Sequence, residues 1–466
     1  MKSKRGIRIM YRDKTFTSPL YYPGAAHGFL CAPARSGKFT CALAQILAEW
    51  QGSVLVIDPK GQACAVTARY RERKLGQEVW RLDPFNLMPN LPGVRWYPRA
   101  AQVDPMIGLD PRSDRFAADA DNIAEAVVPD DLHGSDPHWT YSGRGLASGM
   151  IMHLKTRFPK ETLATVYRVI SGPDLFLVAQ DACRSATGNH AGDFIVERLA
   201  RFGEPDAANN KEVRSIVSTA ITALQFIGNR AIATSLGGSS FKFGDMKRRP
   251  ITVYLILPGE YLGGNCSRWF RLIAGTAVEA FMREPSRKVP VLGILDEFKS
   301  AVGRLGVVET AMGLAAGYGL QLLPVLQNLS QLQELYPQGW ETFLANSGFK
   351  IFFAPRDKTT SDYLSDMSGI TEVRTVSKSL GEKPDGGLSV NLSFQQHARK
   401  YLLPHETRYL GDDEALVFGE GINGVIRAGR RPYFLDPQFK SCFDPDPYEY
   451  GKGNSGGRWL KALFGR

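Results

Sequence analysis

The sequence CAPARSGKFT, residues 31–40, lies between an apolar segment, His27–Ala32, and an amphipathic segment, Lys38–Trp50. The first segment predicts a β-strand and the second a helix, because its apolar residues recur at helical spacing. A loop at such a junction can turn consecutive backbone N–H groups toward phosphate oxygens, at the positive end of the helix. Its Gly-Lys pair matches the end of the phosphate-binding motif G-x-x-x-x-G-K-[ST]. The stretch therefore predicts a phosphate-binding loop in which Lys38 reaches the β- and γ-phosphates.

The loop departs from that motif at two positions. Ala32 replaces the first glycine, and Phe39 stands where the Mg²⁺-binding hydroxyl is expected. Thr40 comes one residue late, about 100° further round the helix, so it is not an automatic substitute. Taken by itself, the loop leaves both phosphate binding and a chance Gly-Lys pair open. The predicted nucleotide-binding residues are Ala34, Arg35, Ser36, Gly37, Lys38, Phe39 and Thr40.

Two further apolar strands end in side chains that suit the same chemistry. Val289–Leu295 is followed by Asp296 and Glu297, and Leu320–Leu326 is followed by Gln327. Ligands of open α/β sheets bind at the carboxyl ends of the strands. At such an edge Asp296 can hold Mg²⁺, Glu297 can polarise the attacking water, and Gln327 can bond the γ-phosphate. Each residue alone could equally be a solvated strand end or a helix cap, but their order predicts a site for ATP and Mg²⁺.

The remaining sequence divides into regions that differ in the pattern of their apolar residues. Short β-branched runs such as Ser53–Ile57 and Ile251–Leu257 suit strands of a parallel sheet that is covered on both faces. Between the two strand-forming parts of the chain most segments are amphipathic, which predicts helices. We therefore predict an α/β fold with a central, mostly parallel sheet. Its nucleotide-binding domain comprises residues 26–111 and 229–440, interrupted by an all-α domain at residues 112–228.

The ends of the chain and one internal segment are polar. Residues 1–25 predict a basic N-terminal arm, and residues 441–466 predict a flexible basic tail. Glu372–Lys400 is Gly/Ser-rich and predicts a loop or a ragged hairpin. Ala415–Phe418 and Gly424–Ala428 predict a β-hairpin across an intervening Gly-Glu-Gly.

Composition narrows the class of protein. The 466 residues carry 57 Lys+Arg against 47 Asp+Glu, a net charge of +10, which indicates an anionic partner such as nucleic acid or an anionic membrane. The hydrophobic fraction of 43% excludes a disordered or fibrous chain. Six cysteines without a C-x-x-C pair exclude a zinc framework or a disulfide scaffold. No segment has the roughly 20 apolar residues of a membrane helix, so we expect a soluble chain.

Several local patterns occur in one order and together resemble the coupling ATPases of type IV secretion and conjugation, the TraG/TraD-like family. The resemblance runs from about His27 to Phe434. The patterns are APARSGK (32–38), GSVLVIDPKG (52–61), VWRLDPF (79–85), LDEFKSAVGRL (295–305), AGYGLQLLPVLQNLSQL (316–332) and NSGFKIFFAPRD (346–357).

This resemblance implies a RecA-like P-loop ATPase domain interrupted by an all-α domain. It also implies a hexameric ring that moves DNA, expected to be single-stranded. Such a coupling protein recruits a relaxase–DNA complex or effector proteins and passes them to the type IV secretion channel. The alternatives are another RecA/FtsK-like DNA translocase, or a non-hydrolysing adaptor that docks substrate.

This chain differs from typical members of the family in two features. Its members typically begin with membrane-spanning helices, whereas here some 26 residues precede the first predicted strand and none could span. We therefore expect a cytoplasmic protein, peripheral at the bacterial inner membrane, with a possible separate membrane-anchor subunit. Some relatives also place a trans-acting arginine just before the strand of the sensor glutamine. Residues 315–318 contain none, which leaves Arg304 and Arg356 as candidates.

Overall fold

The structure, a computed structural model, describes residues 6–129, 137–186, 190–382 and 388–449. Its strands are β1 (Ile7–Tyr11), β2 (Pro19–Tyr22), β3 (His27–Cys31), β4 (Ser53–Asp58), β5 (Glu78–Leu82), β6 (Arg99–Ala100), β7 (Ile251–Ile256), β8 (Val291–Leu295), β9 (Leu320–Leu326), β10 (Ser347–Phe352), β11 (Ile370–Glu382), β12 (Leu388–Lys400), β13 (Glu414–Gly419) and β14 (Ile426–Gly429). Its α-helices are α1 (Ala44–Glu49), α2 (Gln62–Arg73), α3 (Phe116–Val127), α4 (Pro137–Arg157), α5 (Leu163–Ser171), α6 (Leu175–Ser185), α7 (Gly192–Gly203), α8 (Lys211–Leu224), α9 (Arg230–Ser235), α10 (Arg268–Arg283), α11 (Phe298–Ala301), α12 (Gly306–Leu314), α13 (Leu329–Leu335), α14 (Trp340–Ala345), α15 (Lys358–Met367) and α16 (Pro404–Arg408).

A large mixed sheet runs through the described part of the molecule, in the order β2-β1-β14-β13-β10-β3-β9-β8-β4-β7-β5-β6. From β10 to β6 every pair of neighbours is parallel. From β2 to β10 every pair is antiparallel. Adjacent residues of β4, such as Leu55 and Val56, belong to two different apolar clusters, because successive side chains point to opposite faces. The predicted α/β fold with a mostly parallel sheet is confirmed.

Between β6 and β7 the described residues form helices and loops and contain no strand. Helix α4 packs against α3, α7 and α8, and α3 packs against α10, which follows β7. An ion pair between Asp119 of α3 and Arg283 of α10 joins the helical region to the α/β part. Trp139 is partly buried against the core. The limits of an independent domain at residues 112–228 stay a prediction.

The helices also bear on the question of a membrane crossing. Helix α4 has 21 residues but includes charged and polar side chains along its length. No helix in the described ranges combines the length and the apolar character that a bilayer crossing requires.

The predicted basic arm at residues 1–25 is wrong over the strands β1 and β2, which extend the sheet at its antiparallel end. All five residues of β1 are buried. The sequence IRIMY places apolar side chains on both sides of one arginine, and burying them outweighs the cost of burying Arg8 when that cation is paired. Residues 1–5 lie outside the described part.

Arg8 shows how a cation is accommodated inside this edge. Its Nε donates to Gln45 Oε1 at 3.0 Å, and its Nη1 donates to Glu49 Oε1 at 2.8 Å. The guanidinium also lies over the rings of Tyr11 and Phe439, at 4.7 and 4.9 Å from their centroids. The carboxylate and the ring faces replace water around the charge. Arg8 thereby ties β1 to helix α1, which follows the phosphate-binding loop.

Of the loop and the ragged hairpin predicted at Glu372–Lys400, the structure has the antiparallel pair of a hairpin, but as a long, regular ribbon. Strands β11 and β12 have 13 residues each, and they pair with each other rather than with the main sheet. One face of the ribbon has exposed apolar side chains at Val376, Leu380, Val390, Leu392 and Phe394. The same face carries the charged residues Arg374 and Lys378.

The described beginning of the predicted tail at residues 441–466 is packed rather than flexible. The ring of Phe443 lies 4.3 Å from that of Tyr433, between centroids, and Asp444 pairs with Arg69 of α2. Aromatic burial and this ion pair fix the segment through residue 449. The remainder of the predicted tail, residues 450–466, lies outside the described part.

Candidate nucleotide site

Three neighbouring parallel strands bring four of the predicted side chains to one edge of the sheet. Strand β3 leads into the phosphate-binding loop, β8 leads into Asp296 and Glu297, and β9 leads into Gln327. The Nζ atom of Lys38 lies 2.7 Å from Asp296 Oδ1 and 2.5 Å from Glu297 Oε1. The amide of Gln327 donates to Glu297 Oε2 at 3.1 Å. Residues far apart in the sequence thus form one connected polar cluster.

The loop before helix α1 has the backbone conformation of a phosphate cradle. Arg35 and Gly37 have φ angles of 60° and 84°, and such left-handed residues let successive N–H groups converge. A Cβ at Gly37 would lie 3.2 Å from Thr40 Oγ1, a tight contact that a small shift of Thr40 relieves, so it is mainly the left-handed backbone that favours glycine here. The Cys41 N–H donates to the Gly37 carbonyl at 2.9 Å, and its buried thiol lies behind the loop.

Phe39 and Thr40 do not reproduce the missing hydroxyl of the motif. Phe39 is buried in the core, and its ring meets that of Tyr433 edge-on at 6.3 Å between centroids. Thr40 Oγ1 donates to the Gly37 carbonyl at 3.2 Å, within the loop itself. Of the predicted nucleotide-binding residues, Phe39 can therefore contribute only backbone atoms. Ala34 and Arg35 are exposed at the rim.

The polar cluster is partly shielded from solvent and strongly coupled. The side chains of Lys38, Asp296 and Glu297 are 17%, 20% and 24% exposed. Burial opposes the charge on Lys38, but the two carboxylates outweigh it and raise the pKa of its ammonium. Burial likewise opposes ionisation of Glu297, but Lys38 and the Gln327 amide together lower its pKa. The geometry therefore favours a charged Lys38 facing an ionised Glu297.

The backbone of Glu297 is also unusual. Its φ of 50° and ψ of 44° place a non-glycine residue in the left-handed region, directly before helix α11. This conformation costs free energy, and it persists because surrounding contacts hold it. The Glu297 N–H donates to Asp296 Oδ1 at 2.9 Å, so the turn sets both carboxylates toward Lys38.

Sequence reasoning missed two groups at the end of the neighbouring strand β4. Asp58 is buried, accepts the Cys64 N–H at 2.8 Å, and has its pKa raised to about 7, chiefly by burial and further by Asp296. Lys60 is exposed nearby and helps to lower the pKa of Glu297. The signal was available, because the pattern GSVLVIDPKG is itself an apolar strand ending in charged residues.

The residues fit a magnesium nucleotide better than a stand-alone metal centre. The described residues contain no cluster of three or more His, Cys, Asp or Glu suited to a metal ion. Mg²⁺ is commonly held by one or two carboxylates together with substrate phosphates. Asp296 and Glu297 offer those oxygens beside the loop. The arginine candidates Arg304 and Arg356 are both exposed, and their role in a neighbouring subunit's site stays a prediction.

Comparison with known proteins agrees with this geometry. The family model for type IV secretory system conjugative DNA transfer matches residues 2–448. The chain is 25% identical over 429 residues to the conjugal transfer protein TraG of Agrobacterium fabrum, covering 90% of this chain. The match covers 62% of that relative, so the chain spans less than two thirds of its length.

Solved structures share the fold. The bacterial conjugative coupling protein TrwBdeltaN70, in its unbound form, superposes with a TM-score of 0.66 at 16% identity, covering 92% of this chain and 89% of that one. TrwB in complex with ADP and Mg²⁺ superposes with a TM-score of 0.62 at 16% identity, covering 93% and 89%. At this identity the likeness shows the RecA-like P-loop fold.

Proposed function

Because the chain belongs to the type IV secretory system conjugative DNA transfer family, we propose that it is an ATP-driven coupling protein that moves DNA or protein substrate toward a secretion channel. The observation that carries this proposal is the convergence of Lys38, Asp296, Glu297 and Gln327 at the carboxyl edge of β3, β8 and β9. That arrangement supplies a cation for phosphate, oxygens for a metal, a base and an amide sensor.

The side chains divide the work of hydrolysis. Lys38 exchanges its carboxylate partners for the β- and γ-phosphates, and backbone N–H groups of residues 34–38 surround the phosphate oxygens. Asp296 would hold Mg²⁺, which when bound would neutralise charge developing on the phosphates. Glu297, freed from Lys38, accepts a proton from the attacking water. Gln327 orients Glu297 through its amide and so couples the state of the γ-phosphate to strand β9.

The proposed assembly is a hexameric ring that works at the cytoplasmic face of the bacterial inner membrane. Its substrates are single-stranded DNA, delivered with a relaxase, or effector proteins, and a separate subunit can provide a membrane anchor. The net charge of +10 supports contact with DNA phosphates. Such contacts weaken steeply with added salt and tolerate different base sequences.

The decisive test is ATP turnover by the purified chain, with and without single-stranded DNA, alongside native mass measurement of its oligomeric state. We expect DNA-stimulated turnover that falls at least about hundredfold in Lys38→Ala and in Glu297→Gln, as expected when a phosphate cation or a general base is lost. Lys358→Ala is a matched control, because Lys358 is 83% exposed and pairs with Asp362 on its own helix. No turnover by the wild type in any oligomeric state, or wild-type turnover by Lys38→Ala, would reject the motor.

One observation favours a second candidate, a substrate-docking adaptor that does not hydrolyse nucleotide. Phe39 is in the core and the Thr40 hydroxyl donates to the Gly37 carbonyl, so neither residue after Lys38 presents a free hydroxyl to Mg²⁺. An adaptor predicts nucleotide affinity that is indifferent to Mg²⁺ and to Lys38→Ala. The motor predicts affinity that depends on both, which isothermal titration with and without EDTA distinguishes.

A further inference from the structure

The side chain of Arg430 reaches the phosphate-binding loop from another part of the sheet. Arg430 directly follows β14, which is separated from β3 by β13 and β10. The residue is only 3% exposed. Its guanidinium stacks over Phe353, 4.2 Å from the ring centroid, and its Nη1 donates to the Ser36 carbonyl at 2.6 Å. A residue near the C-terminal end of the fold thus touches the backbone of the loop that begins at residue 32.

The contact with Ser36 has a consequence for the next N–H group. No peptide bond in the described residues is cis, so the carbonyl of Ser36 and the N–H of Gly37 point in opposite directions. When Arg430 holds that carbonyl on the outer side of the loop, the Gly37 N–H faces the inner side. The inner side is where phosphate oxygens would be bound, next to Lys38.

The charge of Arg430 is not neutralised as that of Arg8 is. Its nearest carboxylate, Asp412, lies 3.7 Å away and is 85% exposed, whereas Arg8 contacts Glu49 at 2.8 Å. The Nε atom of Arg430 has no hydrogen-bond partner among the described residues. Burial lowers the pKa of the guanidinium, with Cys41 and Asp412 acting in the opposite sense. A buried, weakly compensated cation adds positive potential behind the loop, where it favours a bound anion.

We propose that Arg430 is a positioning residue for the phosphate-binding loop, which fixes the Ser36–Gly37 peptide so that its N–H faces the phosphates of a bound nucleotide. This inference rests on the proposed function, because it assumes that the loop binds nucleotide. It assigns part of the site's affinity to the antiparallel end of the sheet, outside the loop and the two acidic strand ends. A residue that served only to fill space between Phe353 and the loop would affect stability without affecting phosphate binding.

The test is ADP and ATP binding, together with steady-state kinetics, for Arg430→Gln, Arg430→Lys and Arg427→Gln. Arg427 is the matched control, because it lies on β14, is 50% exposed and pairs with Glu414. Losing a charge-assisted hydrogen bond to the loop should raise the Kd for MgADP about tenfold in Arg430→Gln. The same change should raise KM for ATP with little effect on kcat, because the Gly37 N–H binds ground state and transition state alike. Arg430→Lys, which keeps a cationic donor, should fall between Arg430→Gln and the wild type.

The outcomes separate this inference from the function on which it rests. A wild type that binds no nucleotide would overturn both. If the wild type binds and Lys38→Ala does not, the site stands, and a folded Arg430→Gln with wild-type Kd and KM would overturn the role of Arg430 alone. Should Arg430→Gln fail to fold, Phe353→Leu removes the ring that holds the guanidinium and should raise the Kd for MgADP about threefold, in proportion to a lost stacking contact. An unchanged Kd in that folded variant would equally overturn the inference.

Discussion

The two ends of the large sheet differ in what they contribute. The parallel end, from β10 to β6, presents the carboxyl ends of its strands at one edge, and the polar cluster of Lys38, Asp296, Glu297 and Gln327 lies there. The antiparallel end, from β2 to β13, presents buried arginines to the back of the same loop and its helix. The parallel strands bring the side chains of the candidate nucleotide site together, while residues of the antiparallel end contact the loop and its helix from the other side.

This comparison teaches that a phosphate-binding loop need not be supported only by its own strand and helix. Arg8 of β1 donates a hydrogen bond to Glu49 of helix α1, and Arg430, directly after β14, donates one to the Ser36 carbonyl. Glu49 lies 41 positions from Arg8 in the sequence, and Ser36 lies 394 positions from Arg430. Stability and activity should therefore respond separately to changes at the two ends of the sheet.

The largest effect should come from Arg8→Ala at the antiparallel end. Removing one partner from a buried, hydrogen-bonded charge pair costs about 3 kcal/mol or more, because Glu49 and Gln45 lose their partner inside the protein. Urea unfolding at pH 7 measures the free energy of unfolding. Arg12→Ala, an exposed residue one position beyond β1, should change it by less than about 0.5 kcal/mol. Equal losses in both variants would remove the distinction between a buried and a solvated arginine.

At the parallel end, Gln327→Ala should lower ATP turnover about tenfold while leaving the free energy of unfolding nearly unchanged. Without nucleotide, Lys38 still holds Glu297, so stability changes little. During turnover Lys38 has released Glu297, which in the variant also lacks the amide that orients it. Gln338→Ala, an exposed glutamine beyond helix α13, provides the control. If Gln327→Ala instead lowers the free energy of unfolding and leaves ATP turnover unchanged, Gln327 stabilises the fold and does not act in hydrolysis.

A smaller effect should appear in the pH dependence of stability at the end of β4. The pKa of Asp58 is raised from 3.8 to about 7, mainly by burial, so the folded state binds a proton that the unfolded state has already released. Its contribution therefore makes the free energy of unfolding fall as pH rises from about 4 to 7, and it stays lower above that range. Asp58→Asn should flatten this slope between urea-unfolding series at pH 5 and pH 8. An unchanged slope would show that Asp58 does not titrate in this window.

The smallest effect should come from the ribbon of β11 and β12, which belongs to neither end of the sheet. Phe394 is 69% exposed, so Phe394→Ser removes little buried apolar area and should change the free energy of unfolding by less than about 0.5 kcal/mol. Phe352→Ser, in the core of β10, is the contrasting variant and should destabilise strongly. A large loss from Phe394→Ser would mean that the ribbon packs against the rest of the folded chain.

The sequence predicted the parallel end well, because its signals are local. Continuous apolar runs such as Ile251–Leu257 mark strands buried on both faces, and the polar residue after each run marks the edge that binds ligand. The alternation of strands and helices then indicates parallel pairing, but it does not give the strand order that the structure shows. That logic located Lys38, Asp296, Glu297 and Gln327 in one cluster, and the same logic would have included Asp58.

The antiparallel end was harder because its signals are long-range. In IRIMY the arginine and the nearby basic residues suggested a solvated arm, and only tertiary contacts with Glu49 and Phe439 show why the cation is buried. The contact between Arg430 and Ser36 joins distant strands, so no spacing in the sequence indicates it. The left-handed conformation of Glu297 was equally hidden, since glutamate has no preference for it.

The cysteines provide an internal reporter of loop opening. Cys41, behind the loop, is buried with a raised pKa, and Cys31 and Cys64 are also buried, whereas Cys183, Cys266 and Cys442 are only partly covered. A thiol-specific reagent should therefore modify Cys183, Cys266 and Cys442 first. It should reach Cys41 only when the turn at Gly37 moves away from helix α1. Counting the modified thiols against time follows that movement in the unaltered protein, with no attached dye.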